Sequence, residues 1–70
     1  MLREVVEAYR EERPRARRRM TRRLRRQERK VREVARVRCL DHAELGCLAA
    51  VRDELRSRGI DLPPIKWTWP

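Results

Sequence analysis

The sequence predicts an all-α fold: a short amphipathic N-terminal helix, a long arginine-rich helix, and a second helix that pairs with it as an antiparallel hairpin. Apolar residues recur at helical spacing along most of the chain. Asp41 and Gly59 carry the start and stop signals of a helix. Pro63 and Pro64 favour an extended tail. The predicted bounds are 1–12 for the first helix, 14–59 for the hairpin (basic helix 14–40, second helix 42–58) and 60–70 for the tail.

The N-terminal helix is predicted from an apolar face that has charged residues around it. Its apolar positions recur at helical spacing: Leu2, Val5, Val6 and Tyr9. Pro14 then removes an amide donor, so it either kinks one long helix or occupies the first position of a new one. We expect a break or kink near Arg13.

The basic helix carries one weak apolar seam. Met20, Leu24, Val31 and Val34 follow one another at steps of 4, 7 and 3. Polar residues interrupt this heptad pattern, which makes it a poor coiled coil. One face can therefore pack on another element, while the other faces are mostly arginine.

The second helix has clear capping signals at both ends. Asp41 and Glu44 have the spacing of a capping box, and Gly59 followed by Ile60 has the Schellman pattern. Its apolar stripe is Leu45, Leu48, Val51 and Leu55. Gly46 is either a tolerated helical glycine or a point of close approach to another helix.

A short turn near Leu40 is expected to bring the two longer helices together. Val31, Val34, Val37 and Leu40 would then meet the apolar stripe of the second helix. The arginine run lies at the far end of the basic helix. It would extend beyond the shorter partner helix, where a polyanion can be bound.

Positive charge is the strongest functional signal. The net charge is +9, and residues 13–26 contain nine arginines and no acid. Guanidinium groups bind phosphate bidentately and stack on bases. The predicted nucleic-acid-binding residues are Arg13, Arg15, Arg17, Arg18, Arg19, Arg22, Arg23, Arg25, Arg26, Arg29 and Lys30.

The tail and the second helix are predicted to dock on a protein partner in a larger assembly or on a second copy of this chain, as a homo-oligomer. The candidate docking residues are Leu48, Val51, Leu55, Ile65, Trp67 and Trp69. Two alternatives remain open for the tail: Ile65 and one Trp fold back onto a small core, or the indoles stack on exposed bases.

Residues 35–62 resemble the C-terminal helical hairpin of bacterial cysteinyl-tRNA synthetases. The stretch VRDELRSRGIDL carries the likeness, together with Ala35-Arg36 and Asp41 upstream. The resemblance implies a helical hairpin and, because that domain contacts the anticodon end of tRNA, an RNA ligand. It covers less than half of the chain, and the synthetase's catalytic and zinc motifs do not occur in this sequence.

No catalytic constellation is recognisable, so we expect a protein that is not an enzyme and uses no cofactor. There is a single histidine, His42, and no glycine-rich phosphate loop. Cys39, His42 and Cys47 match no standard zinc spacing. We therefore expect no metal, and interpret the thiols as small hydrophobic side chains, with a disulfide across the turn as an alternative.

These features predict a small basic nucleic-acid-binding protein, with RNA favoured over DNA as the ligand. The protein is expected to be an accessory subunit of a larger ribonucleoprotein or other nucleic-acid-containing assembly. The alternative is a structural adaptor or scaffold subunit, possessing the same hairpin, whose arginines face acidic protein surfaces. A membrane-surface helix is disfavoured because the run from Arg13 to Arg26 contains only Met20 and Leu24 as large apolar residues. The protein is expected to be cytoplasmic.

Overall fold

The computed structural model describes residues 2–68 and confirms the all-α class. Three helices follow one another along this part of the chain: α1 (Arg3–Arg17), α2 (Thr21–Val37) and α3 (His42–Ser57). Residues 60–68 contain no helix, and no strand occurs anywhere in the described range.

The break between the first two helices lies at residues 18–20, so the prediction that it lies near Arg13 is wrong. α1 continues through Pro14 to Arg17. Pro14 lies on the exposed face, whereas Ala16 is fully buried among α2 and α3 residues. Packing of this last turn therefore outweighs the hydrogen bond that proline removes. The predicted basic helix 14–40 is divided accordingly between the end of α1 and α2.

Local hydrogen bonds and one side chain hold the turn between α1 and α2. The amides of Arg18 and Arg19 donate to the carbonyls of Arg15 and Ala16, each over 3.1 Å. Arg58, at the end of α3, donates to the carbonyl oxygens of Ala16 and Arg17 at 3.4 and 3.2 Å. This guanidinium is a second donor to the Ala16 carbonyl, and it pairs the Arg17 carbonyl, which the helix end leaves without a backbone donor.

The capping signals of α3 are confirmed at both ends. The Glu44 amide donates to Asp41 Oδ1 at 2.8 Å, and the Asp41 amide donates to Glu44 Oε1 at 3.0 Å. At the other end, Gly59 has φ +83°. The Ile60 amide donates to the Leu55 carbonyl at 3.1 Å, which completes the Schellman motif. Sequence-local interactions therefore fix where α3 begins and ends.

α3 packs against both other helices, and its interface with α1 is the larger one. One core cluster joins all three helices through Ala16, Leu24, Val51 and Leu55. A second cluster joins α2 and α3 through Ala35, Leu40 and Leu48, with half-buried Val31, Val34, Leu45 and Ile65 around it. Val37, which was expected in this contact, is 80% exposed.

Gly46 is a point of close approach between α1 and α3. A Cβ atom at Gly46 would lie 2.5 Å from the carbonyl oxygen of Val5 and 2.6 Å from Cβ of Ala8. These atoms belong to the backbone or lie next to it, so they cannot move aside independently. Close approach is therefore the reason for glycine here.

We expect Gly46→Ala to destabilise the fold by about 1–3 kcal/mol, because the added methyl group forces α1 and α3 apart. In an unconstrained helix the same change stabilises the helix by about 1 kcal/mol. The sign of the measured effect therefore shows whether α1 constrains this position. Thermal unfolding followed by circular dichroism measures it. Ala43→Gly, at an exposed position of α3, is the control for ordinary helix propensity. A raised melting temperature for Gly46→Ala would contradict the close approach.

Candidate nucleic-acid interface

Three buried carboxylates each form an ion pair with arginine inside the fold. Glu12 is the first of them, on α1. Its Oε2 accepts hydrogen bonds from Arg19 at 2.6 Å and from Gln27 at 3.3 Å. Burial alone would raise the pKa of Glu12, but these hydrogen bonds outweigh it and hold the pKa below its usual value. Glu12 is therefore charged at neutral pH and holds Arg19 in the turn between α1 and α2.

Glu28 forms the most deeply buried ion pair, between α2 and α3. Arg52 Nη1 donates to Glu28 Oε2 at 2.6 Å, and both side chains are more than nine-tenths buried. The same guanidinium donates to the carbonyl of Pro63 at 2.8 Å, which attaches the tail. Arg32 lies 3.2 Å from the same Glu28 oxygen. This pair connects α2, α3 and the tail.

Glu54 holds two further arginines at the other end of α3. Arg13 of α1 and Arg58 donate to its two oxygens, the latter over 2.9 Å. These bonds, with that from Arg13 the stronger, keep the pKa of Glu54 below its usual range. Arg13 is half-buried by this contact.

Two of the predicted nucleic-acid-binding residues form ion pairs within the fold. Arg13 and Arg19 are half-buried and paired with Glu54 and Glu12, so a phosphate would have to compete with these carboxylates. The other predicted cations are exposed and form no ion pair within residues 2–68. They are Arg15, Arg17, Arg18, Arg22, Arg23, Arg25, Arg26, Arg29 and Lys30.

α2 presents most of these free cations on its solvent side. Leu24, Glu28 and Ala35 mark the buried side of the helix. On the opposite side lies a shallow groove, lined by Arg22, Arg25, Arg26, Arg29, Lys30 and Glu33. Glu33 is the one acid of this lining, so five cations face a single carboxylate there.

The sequence interpretation missed two cations that extend this surface. Arg36 is exposed and lies on the same side of α2, and Lys66 of the tail lies close to it. Both line a second groove with Arg29, Arg32, Glu33, Pro63 and Pro64. Arg36 follows Arg29 by seven residues, a spacing that could have identified it. Lys66 gives no such signal, because only the folded tail brings it to α2.

The predicted docking residues on α3 are buried against α1 and α2 in this structure. Leu48, Val51 and Leu55 are at most 2% exposed. In the tail, Ile65 packs against the core cluster of Leu48, and the amide of Thr68 donates to the carbonyl of Ala35 at 2.9 Å. Trp67 is 38% exposed. Trp69 lies outside the described residues.

The cysteines lie in different surroundings. Cys39 is exposed and its thiol donates to the carbonyl of Thr68 at 3.2 Å. Cys47 is half-buried, and burial raises the pKa of its thiol. Both are free thiols. Within residues 2–68, no group of three or more His, Cys, Asp or Glu side chains is placed to hold a metal ion.

Comparison with known proteins gave no match: no family model, no curated protein and no solved structure is significantly similar to this chain. The likeness of residues 35–62 to the synthetase hairpin stays a prediction. In the part of the chain that the structure describes, no helix has the length and apolar content needed to cross a bilayer.

Proposed function

We propose that the protein is a small, non-catalytic nucleic-acid-binding subunit, with RNA favoured over DNA as the ligand. In this proposal the solvent side of α2 contacts the phosphate backbone. The protein acts in the cytoplasm as an accessory component of a larger ribonucleoprotein or other nucleic-acid-containing assembly.

One observation carries the proposal: the fold pairs its buried acids internally and leaves the exposed cations of α2 unpaired within residues 2–68. Glu12, Glu28 and Glu54 each bind arginine inside the structure. By contrast, Arg22, Arg23, Arg25, Arg26, Arg29 and Lys30 are exposed and have no ion-pair partner within residues 2–68. On the solvent side of α2 these exposed cations therefore outnumber the single exposed acid, Glu33.

Such a surface is unfavourable without a counter-charge. Arginines three and four positions apart on a helix repel each other by about 0.2–0.5 kcal/mol per pair. Arg22, Arg25, Arg26 and Arg29 are related by these spacings. Closely spaced phosphates remove the repulsion and release condensed counterions. Guanidinium groups also form bidentate bonds to phosphate, which ammonium groups do not.

RNA is favoured because arginine-rich helices fit structured RNA, in which bulges and loops open the groove. The tail supplies the proposed protein contact. Trp67 borders an apolar groove together with Val5, Leu45, Ala49 and Ile65. A protein partner would cover the exposed part of this indole.

Purification from the native host at moderate salt tests the proposal. We expect the protein to carry RNA, seen as a raised ratio of the absorbance at about 260 nm to the absorbance at about 280 nm. Ribonuclease should digest this RNA, and a high-salt wash should release it. Deoxyribonuclease is the matched control. A protein that is free of nucleic acid and co-purifies only with acidic proteins would contradict the proposal and favour the adaptor function.

A further inference from the structure

We infer that α2 enters the major groove of an RNA double helix at a bulge or internal loop, with phosphates of both strands contacted at once. This inference rests on the proposed function and adds the class of RNA structure that is bound. It follows from how the cations are distributed around α2.

Six of the seven free cations of α2 form two stripes on opposite flanks of its solvent side, and the seventh, Arg22, lies between them. Arg25, Arg29 and Arg36 follow one another at steps of 4 and 7, so they share one flank. Arg23, Arg26 and Lys30 follow at steps of 3 and 4 and share the other. All six are exposed.

The surface has a groove beside each stripe and a third groove between them, which residues of both stripes line. One groove runs beside the first stripe and is lined by Arg29, Arg32, Glu33, Arg36, Pro63, Pro64 and Lys66. A different groove runs beside the second stripe and is lined by Arg19, Arg23, Arg26, Gln27, Lys30 and Val31. Lys66 therefore adds a seventh cation, from the tail, to the first flank.

A helix with cations on both flanks fits a channel that has phosphates on both sides. Binding along a single strand would use one flank and leave the other three cations uncompensated. A groove of a double helix has a phosphate row on each wall. The span from Arg22 to Arg36 is about 21 Å at 1.5 Å per residue, long enough to follow such a groove.

Width decides which kind of double helix can accept α2. An α-helix with its side chains is about 10–12 Å across. The major groove of regular A-form RNA is too narrow to admit side chains, and bulges or loops open it. RNA with an unbroken duplex is therefore excluded by size, whereas RNA with an interrupted duplex can accommodate the helix.

The test uses the full chain and three labelled RNAs of similar length, measured by fluorescence anisotropy. One is a hairpin with a fully paired stem, one is the same hairpin with a three-nucleotide bulge in its stem, and one is an unstructured strand. Both hairpins end in the same short loop, so the bulge is the difference between them. We expect the bulged hairpin to bind roughly tenfold or more tightly than the other two. Equal affinity for all three, with steep salt dependence, would overturn the groove inference while the proposed function stands. No binding to any of them would overturn both.

Variants of the separate flanks provide a second readout. Arg25→Gln with Arg29→Gln removes charge from one flank, and Arg23→Gln with Lys30→Gln removes the same charge from the other. Each pair is expected to lower affinity for the bulged hairpin by a similar factor, roughly tenfold or more. An effect confined to one pair would show contact with a single strand. A regular DNA duplex that binds more tightly than the bulged RNA would also contradict the inference, because its major groove is about 12 Å wide.

Discussion

Replacing Arg22, Arg25, Arg26 and Arg29 by Gln together is expected to weaken RNA binding by about 10²–10³-fold at 0.1 M salt. A logarithmic salt slope of about 0.7 per phosphate corresponds to roughly fivefold in affinity for each contact at this salt concentration, and four contacts are removed. The four side chains are exposed and make no ion pair within residues 2–68, so the fold does not depend on them. Fluorescence anisotropy with a structured RNA measures the loss.

Helix content and a matched variant separate lost contacts from lost structure. The variant should keep the native circular dichroism spectrum, because like-charge repulsion within α2 is relieved. As a control, Arg3→Gln with Arg10→Gln removes two exposed charges from α1, outside the proposed phosphate-binding surface of α2. This control is expected to change affinity by less than about threefold, since charges beyond a Debye length are largely screened. A folded α2 variant with unchanged affinity would contradict the assignment of these arginines.

The largest effect on stability is expected from Arg52→Met. This change leaves the carboxylate of Glu28 buried without its closest partner and releases the carbonyl of Pro63. Removing one member of a buried ion pair costs about 3–5 kcal/mol. A core of this size supplies only about 3–5 kcal/mol in total, so the variant should be largely unfolded at room temperature. Circular dichroism and thermal unfolding report the loss of helix directly.

A double variant tests whether the isolated charge is the cause. Arg52→Met with Glu28→Leu removes both charges and keeps apolar volume between α2 and α3. We expect it to recover most of the lost stability, because an apolar pair can replace a buried ion pair at little cost. If the single variant melts at the native temperature, the Arg52–Glu28 pair does not stabilise the fold as described.

α3 shows what local sequence signals can predict. Asp41 and Glu44 fix its start, and Gly59 fixes its end through a positive φ angle. These interactions are made between residues that are close in the sequence, so their spacing alone identifies them. The end of α1 was predicted incorrectly for the opposite reason. Burial of Ala16 against other helices carries α1 past Pro14, and that burial depends on contacts distant in sequence.

The contrast between local and distant contacts also explains which features of the candidate interface the sequence could predict. Clustering of arginine predicted which segment is basic, and most of those side chains are exposed. Arg13 was assigned to phosphate because Glu54, its partner, comes 41 residues later. Leu48 and Val51 were assigned both to the contact between the two hairpin helices and to a protein partner. The sequence did not predict that α1 also packs on α3, and the close approach at Gly46 makes this packing possible.

The salt dependence of RNA affinity tests most directly whether α2 binds phosphate. Seven cations of α2 are exposed and unpaired within residues 2–68, so a plot of log affinity against log salt concentration should have a slope of about −5 to −6. The variant at Arg22, Arg25, Arg26 and Arg29 should reduce that slope to about −2 to −3. A steep slope that flattens in this variant is the predicted result. A slope near zero for the native protein, or one that the four substitutions leave unchanged, would contradict phosphate binding by α2.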